Sequence, residues 1–410
     1  MIQIPQMRLT NKTVCATILH AENQMRIALF AWESLYSVSV GGIAFHVSEL
    51  ACALQRKGHE VHVFTRLGSG QQSYYECIFG VHYHRCPYPS SSDFIEDINN
   101  MCRSFVDTFL ATEDHIGRFD IIHAHDWLAS NAVVWIKEAR GHKSIMTFHS
   151  TEYGRCGNNF FNGTSARVRD HERHGSYCAD RVIAVSNTLK NEVAWMYNLP
   201  AEKVTTIYNG VNCRDYNGWI DSASVRRQYD IGPLDPMVLF VGRIVYQKGP
   251  DLLAEAIPHI LKHYPNAKFV FVGDGDMRWD VEAHTKRLGI GPAVRFLGYR
   301  NGWRLVDLFK ACDLVCVPSR NEPFGIVILE AWSAGKPVVA SSVGGPSEII
   351  WHDVTGLKIN PNPDSVAWGI GSTFENFDHA RWMGANGRMA VETAFSWDVI
   401  GDHVLEVYHA

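Results

Sequence analysis

No stretch of this chain is apolar for the roughly 20 residues that a membrane-spanning helix needs, so no integral membrane association is expected. Positive charge is not in excess either. The 38 lysines and arginines stand against 43 aspartates and glutamates, a formal net charge of −5, which leaves no basic footprint for nucleic acid. The ten cysteines contain no C-x2-C pair, and the closest two, Cys312 and Cys316, flank the start of an apolar run. Reduced, buried thiols in a cytoplasmic protein are the expectation. Residues Met1 to Gln24 lack the basic-then-apolar pattern of a secretion signal. Met25-Arg-Ile-Ala-Leu-Phe reads as the beginning of a first strand, so residues 1–24 are expected to be an N-terminal extension or the result of a misassigned start.

What the chain does have is 410 residues at 46% hydrophobic content, enough for two domains of ordinary size. Strand-like runs alternate with helical ones, the pattern of a parallel sheet covered on both faces. Arg26 to Trp32 is followed by the glycine turn Val40-Gly41-Gly42 and an amphipathic stretch from Ile43 to Arg56. Val61 to Thr65, Asp120 to His125, Ser144 to His149 and Arg181 to Ser186 are the further strands of the first half, the last of them followed by a helix from Asn187. Cys213 to Pro236 is polar and rich in turn formers, the best linker candidate. The second half repeats the theme with Val238–Val241, Phe269–Val272, Val294–Leu297, Leu314–Val317 and Val338–Ala340. The reading is α/β, two Rossmann-like doubly wound domains facing across a cleft, with ligands at the carboxyl ends of the strands. The expected boundaries are 25–215, 216–395 and a terminal helix in 396–410.

The densest chemistry lies in Pro318-Ser-Arg-Asn-Glu-Pro-Phe-Gly-Ile-Val-Ile-Leu-Glu330. A strand to Val317 runs into a loop, then into a helix predicted from Phe324 to Ala334 and stopped at Gly335. Glu322 lies in the loop beside the free N–H groups of the helix start, and Glu330 lies over a turn further along, with seven residues between them. Ionised, each accepts hydrogen bonds from hydroxyl groups; alternatively the pair merely favours the helix dipole. After the first strand of the second half, Gly242-Arg243 and Lys248-Gly249 make a glycine turn with two cations, suited to a diphosphate.

This set resembles the E-x7-E signature of retaining glycosyltransferases with the GT-B fold, in particular the large family 4, down to E-P-F-G before the helix and G-x-P-V-V-A after it. The resemblance covers Met25 to the C-terminus. It implies a nucleotide-diphosphate sugar as donor substrate, no required cofactor, no metal, and a carbohydrate or sugar-phosphate acceptor. It assigns Arg243 and Lys248 to the leaving diphosphate, Glu322 with the N–H groups of Phe324 and Gly325 to the donor sugar, and Glu330 to the ribose. Gly41 and Gly42 resemble the first-domain glycine loop that approaches the same phosphates together with Gly242. Phe296-Leu-Gly-Tyr299-Arg300 resembles the turn beside the base, which puts Tyr299 or Arg300 there. The same resemblance raises His149, at a strand end, to a contact of the donor sugar, and gives Glu152, Tyr153 and Arg155 to the acceptor side.

Three features stay outside that set. His123 and His125 share a strand face, but no third metal ligand is evident beside them, and Asp126 is expected near the acceptor instead. Gly273-Asp274-Gly275-Asp276 imitates the metal-binding D-x-D of the GT-A fold, yet it follows a strand where a glycine turn is due, so no metal is expected. Arg167, Arg169, His171, Arg173 and His174 form a basic helical stretch that suits a phosphorylated acceptor or is a solvated face. Ser39-Val40-Gly41-Gly42 lacks the lysine of bacterial glycogen synthases of family 5, which also lack the second glutamate. His149-Ser-Thr-Glu-Tyr looks more like archaeal-type α-glucan synthases than sucrose-phosphate synthases. The expectation is hexosyl transfer, of glucose from UDP- or ADP-glucose, to an α-glucan or to a sugar phosphate such as fructose 6-phosphate. A nucleotide-sugar epimerase or a non-catalytic binding protein is the alternative.

Overall fold

A computed structural model describes residues 24–410, so the expectation for the N-terminal extension lies, but for Gln24, outside the described residues. In the first half β1 (Arg26–Ala31), β2 (Glu60–Arg66), β3 (Tyr75–Ile78), β4 (Val81–Cys86), β5 (Ile121–His125), β6 (Lys143–Phe148), β7 (Arg181–Ala184) and β8 (Val204–Thr206) form one sheet. Its order is β3-β4-β2-β1-β5-β6-β7-β8, parallel but for β3. In the second half β9 (Met237–Val241), β10 (Lys268–Val272), β11 (Val294–Gly298), β12 (Leu314–Val317), β13 (Val338–Ser341) and β14 (Leu357–Ile359) form a parallel sheet ordered β11-β10-β9-β12-β13-β14.

The central strands are near-continuous apolar runs because helices cover both faces. Phe30, Phe64, Phe105, Phe109 and Phe119 fill one side of the first sheet. Leu50, Leu54, Ile400 and Val404 fill the other. In each sheet the strand order reverses at the first strand, between β1 and β5 and between β9 and β12. A parallel sheet opens a crevice at such a reversal, beyond its carboxyl ends. The loops that follow β1, β5, β6, β9 and β12 therefore gather at the mouth.

Several expectations are corrected. The β3–β4 hairpin goes unread because β3 is exposed and β4 carries histidines and an arginine at inward positions, His84 and Arg85 being buried. Arg181–Ser186 is not the last strand of the first half, nor are there five strands in the second. β8 and β14 are three-residue edge strands, too short and too mixed for a period to show. The polar segment Cys213–Pro236 is not a free linker. Arg226, 7% exposed, bonds the carbonyls of Ala311, Pro233 and Asp235 and the Asp313 carboxylate, which ties the segment into the second sheet.

The chain passes between the halves just before that segment. There the Val211 N–H donates to Phe395 O at 2.8 Å and the two crossings run side by side at Val211 and Ser396. The returning helix, Trp397–His409, lies against the Gly42–Arg56 helix, with ion pairs Arg56–Asp398 and Lys57–Asp402 at 2.6 Å.

A second tie lies across the cleft. The Glu348 carboxylate, from the second half, accepts the backbone N–H groups of Asn187 (2.8 Å) and Thr188 (2.6 Å) and the Thr188 hydroxyl at 2.6 Å. Ser186 accepts the next amide, that of Leu189. The first turn of the Asn187–Tyr197 helix is thus capped from both halves, and a carboxylate there also meets the positive end of the helix dipole. Glu348→Ala is expected to cost about 1 kcal/mol, a typical cap loss. Hydrogen exchange of the Asn187 and Thr188 amides should speed about fivefold, with little change in the core strands.

Candidate active site

At the mouth between the two sheets stands one buried ion pair. Glu322, 5% exposed, takes the Lys248 ammonium on both oxygens at 2.8 Å and the Ser319 hydroxyl at 2.9 Å. The two residues are far apart in sequence and meet because β9 and β12 pair directly, so the loops that follow them adjoin. The backbone of Glu322 is held as firmly: its carbonyl accepts the Gly345 amide at 2.9 Å. Gly344 has φ +58°, and a Cβ there would stand 2.1 Å from that same oxygen, so the position admits glycine alone.

The helix after this loop runs from Ile326 to Ser333, two residues shorter at its start than expected, because Gly325 at φ +92° is its N-cap. It carries no side-chain cap and no acidic residue in its first turn, which leaves donors facing the mouth. Phe324 is buried beneath, its ring 5.8 Å from that of Tyr208. The glycine turn of the first half closes on this helix start: a Cβ on Gly42 would lie 3.3 Å from Ile326 Cδ1. Gly41 is committed differently. Its amide and that of Val40 donate to Glu33, at 2.8 and 2.6 Å. Burial raises the Glu33 carboxyl above its usual range, against these two amides and Arg66. Sequence reading missed Glu33; its signal is an acid directly after an apolar strand and just ahead of a glycine turn whose donors need an acceptor.

Arg243 is exposed at the rim beside Gly242, its guanidinium touching Gln247 Oε1 at 3.3 Å. Asp274 of the D-x-D imitation accepts the Gly275 amide and pairs with Arg278, and a Cβ on Gly273 would sit 1.9 Å from Gly242 O. That glycine turn serves close packing of the two loops. Tyr299 is half exposed at the end of β11, its carbonyl accepting from Arg300 at 2.9 Å. Glu330 faces Tyr216, whose hydroxyl donates at 3.4 Å, and burial pushes its carboxyl up to about 7.

Behind the first-half wall lie the histidines. His123 is locked between the Tyr408 hydroxyl and Thr147 Oγ1, both at 2.7 Å. His125 Nδ1 lies 3.3 Å from His149 Nε2, and His46 Nδ1 lies 2.7 Å from Asn209 Oδ1. The expectation of no third ligand is corrected here. One ligand atom from each of His46, His125 and His149 lies within 4.8 Å of the others, a set that could hold a metal ion. His46 comes from a helix 79 positions before His125, so spacing could not reveal it. Burial lowers all of these imidazoles, His149 to about 3, so they are neutral. Asp126, at φ +60°, receives the His149 amide at 2.7 Å, and burial pushes its carboxyl up to about 6 against Arg155 and that amide.

Arg155 is bound to Glu152, Glu172 and the Ser150 hydroxyl. Glu172 also receives the Tyr197 hydroxyl, and burial lifts its carboxyl to about 7. Of the basic helical stretch, Arg167 pairs with Asp93 at 2.7 Å, Arg173 with Asp170 at 3.3 Å, and His171 meets Asn131. Arg169 bonds Ser165 and the carbonyl of Phe161. His174 lies beside Cys178. Most of this charge is committed inside the first half.

The central ion pair sets a stability expectation. Lys248→Met leaves the Glu322 carboxylate buried without its cation and should cost about 2–3 kcal/mol, less than a fully sealed pair because Lys248 is about a fifth exposed. Adding Glu322→Gln should recover most of that loss. Urea denaturation of the two single variants and the double reads the coupling directly.

The family model described as Glycosyltransferase Family 4 matches residues 40–215, and that described as Glycosyl transferases group 1 matches residues 221–390. The chain is 38% identical to an uncharacterized glycosyltransferase of Methanocaldococcus jannaschii over 94% of this chain and 98% of that one. It is 28% identical to a glycogen synthase of Mycobacterium tuberculosis over 94% and 95% of the two chains. A sucrose-phosphate synthase from Thermosynechococcus elongatus shares the fold with a TM-score of 0.80, at 24% identity over 94% of this chain and 98% of that one. With these matches spanning both sheets and the mouth between them, the chain belongs to the family 4 glycosyltransferases and has the GT-B fold.

Proposed function

We propose that this chain is a retaining, metal-independent transferase that moves a hexosyl unit, glucose, from a nucleotide-diphosphate sugar to a carbohydrate acceptor. The observation that carries the reading is the Lys248–Glu322 pair at the mouth, with exposed Arg243 on one side and an uncapped helix start on the other. As the bond from C1 of the sugar to the diphosphate breaks, negative charge grows on the phosphate oxygens. Lys248, Arg243 and the helix amides are fixed donors for that charge. The acceptor hydroxyl forms its new bond to C1 on the face the diphosphate leaves, and its proton passes to the leaving phosphate oxygen. Glu322 accepts hydroxyls of the sugar, Glu330 those of the ribose, and neutral His149 lines the donor sugar. Asp126, Glu152, Tyr153 and Arg155 form the acceptor wall.

Solved GT-B neighbours are described as bound to UDP and glucose, to UDP-glucose, or to ADP and acarbose. This chain uses the same class of donor in our reading, with UDP- and ADP-glucose the candidates. The internal pairing of Arg155, Arg167 and Arg173 favours an uncharged acceptor over fructose 6-phosphate. We place the protein in the cytoplasm, where its described cysteines, all free and with Cys77 exposed rather than buried as expected, stay reduced.

The test is nucleotide release from UDP-, ADP- and GDP-glucose with fructose 6-phosphate, fructose or an oligoglucan, in the presence of EDTA. Release dependent on one acceptor and indifferent to EDTA is expected. Tight nucleotide-sugar binding without turnover by any donor contradicts the transferase reading and favours a binding protein or an epimerase. Lys248→Ala should lower kcat about 100- to 1000-fold, the scale of losing one fixed donor to a developing anion. Donor affinity should fall as pH drops below about 7, where Glu330 becomes protonated and loses the charge that accepts the ribose. Glu330→Gln should flatten that limb of the profile.

A further inference from the structure

Resting on the transferase reading, we propose that the acceptor is a glucan chain and that Tyr153, Phe160, Trp195 and Tyr246 form the platform on which its sugar rings stack. Phe160 and Trp195 are 60% and 65% exposed, and exposed rings that adjoin one another mark an interaction site where single ones do not. They are not scattered. The Tyr153 ring lies 4.8 Å from Phe160 and 5.8 Å from Trp195, and those two rings are 6.3 Å apart. Aromatic faces offer flat apolar area, and the C–H faces of a sugar ring match it while hydroxyls at the ring edge stay wet.

The loop that presents Phe160 is held in place. Arg169 donates to Phe161 O at 2.7 Å and lies 5.3 Å over the Phe160 ring, and Asn159 bonds the carbonyls of Cys156 and Gly157. Arg169 is thus a positioning residue for the platform. The rings also lead back to the reaction centre. Asn321, next to Glu322, donates to Asn158 Oδ1 at 3.0 Å across the mouth. A Cβ on Gly157 would lie 3.9 Å from the Tyr246 ring, which is 59% exposed on the opposite lip.

A polymer whose end reaches Glu322 would cross Tyr246 and Tyr153 and continue over Phe160 and Trp195. Of the neighbouring cations, Arg155 pairs with Glu172 and Arg320 with Asp251, while Arg320 also lies 4.0 Å over one face of the Tyr246 ring, which leaves the other face to a sugar. An anionic lipid surface finds little to pair with there, and a neutral polyol needs none.

The experiment is native electrophoresis through gels with and without glycogen, beside KM values for maltose and maltoheptaose. Wild type should be retarded by glycogen. Trp195→Ala and Phe160→Ala should lose that retardation and raise KM for maltoheptaose about tenfold, with KM for maltose nearly constant. Trp368→Ala, at an exposed ring elsewhere, should behave as wild type, and thermal melts confirm that the variants fold. Absence of retardation, or equal KM values in wild type and Trp195→Ala, overturns the platform. So does Trp195-dependent flotation with phosphatidylglycerol vesicles in place of glycogen binding. Nucleotide release with a non-glucan acceptor alone would overturn the platform and leave the transferase reading standing. Trp195-dependent glycogen retardation without nucleotide release from any donor would overturn the transferase reading instead.

Discussion

In the proposed reading Glu322 holds sugar hydroxyls beside a diphosphate, a task that asks for burial from water with a cation fixed against the carboxylate. Here that condition is met by Lys248, whose ammonium lies 2.8 Å from both oxygens of Glu322. Taking the glutamate out of water alone would cost several kcal/mol, and the lysine with Ser319 offsets it. The rest of the second half serves this contact. β9 and β12 are neighbours, so the two loops meet. Gly344 and Gly345 let a third loop press against the backbone of Glu322 and of Phe324. Gly249 lies against the Pro318 carbonyl, where a Cβ would stand 2.2 Å from the oxygen, so the Lys248 loop packs directly on the Glu322 loop.

The first half completes the site by approaching this pair. Its glycine turn meets the helix start at Ile326, Asn158 meets Asn321, and the helix at Asn187 receives Glu348. All three contacts are polar or small, while the two chain crossings at Val211 and Phe395 are backed by Tyr208, Phe324 and Trp397. Opening for donor and acceptor would break a few hydrogen bonds at the lips and leave the apolar crossings intact, a suitable arrangement for a cleft that must exchange substrates.

The sequence was legible where an element is built from local pattern. The apolar strands at the centres of both sheets, the loop and helix around Glu322, and the two cations after β9 show in the residues themselves. Edge strands of three residues fall below the length at which a period shows. Side-chain commitments are also invisible in a linear reading. Arg167 belongs to Asp93 and Arg173 to Asp170, so a basic run that suggests an anion site is mostly neutralised, by partners up to 74 positions away. The same holds for Glu33, which ties the glycine turn, and for His46, which joins His125 and His149 from another element. Tertiary proximity creates these groups, and no spacing rule contains it.

The most direct test of the account is a crystal structure of the protein with UDP and glucose bound. The account predicts the diphosphate within hydrogen-bond distance of Lys248 and Arg243, with the glucose hydroxyls on Glu322 and the ribose on Glu330. A diphosphate seated instead on Asp274 and Asp276, or glucose held away from Glu322, would contradict it.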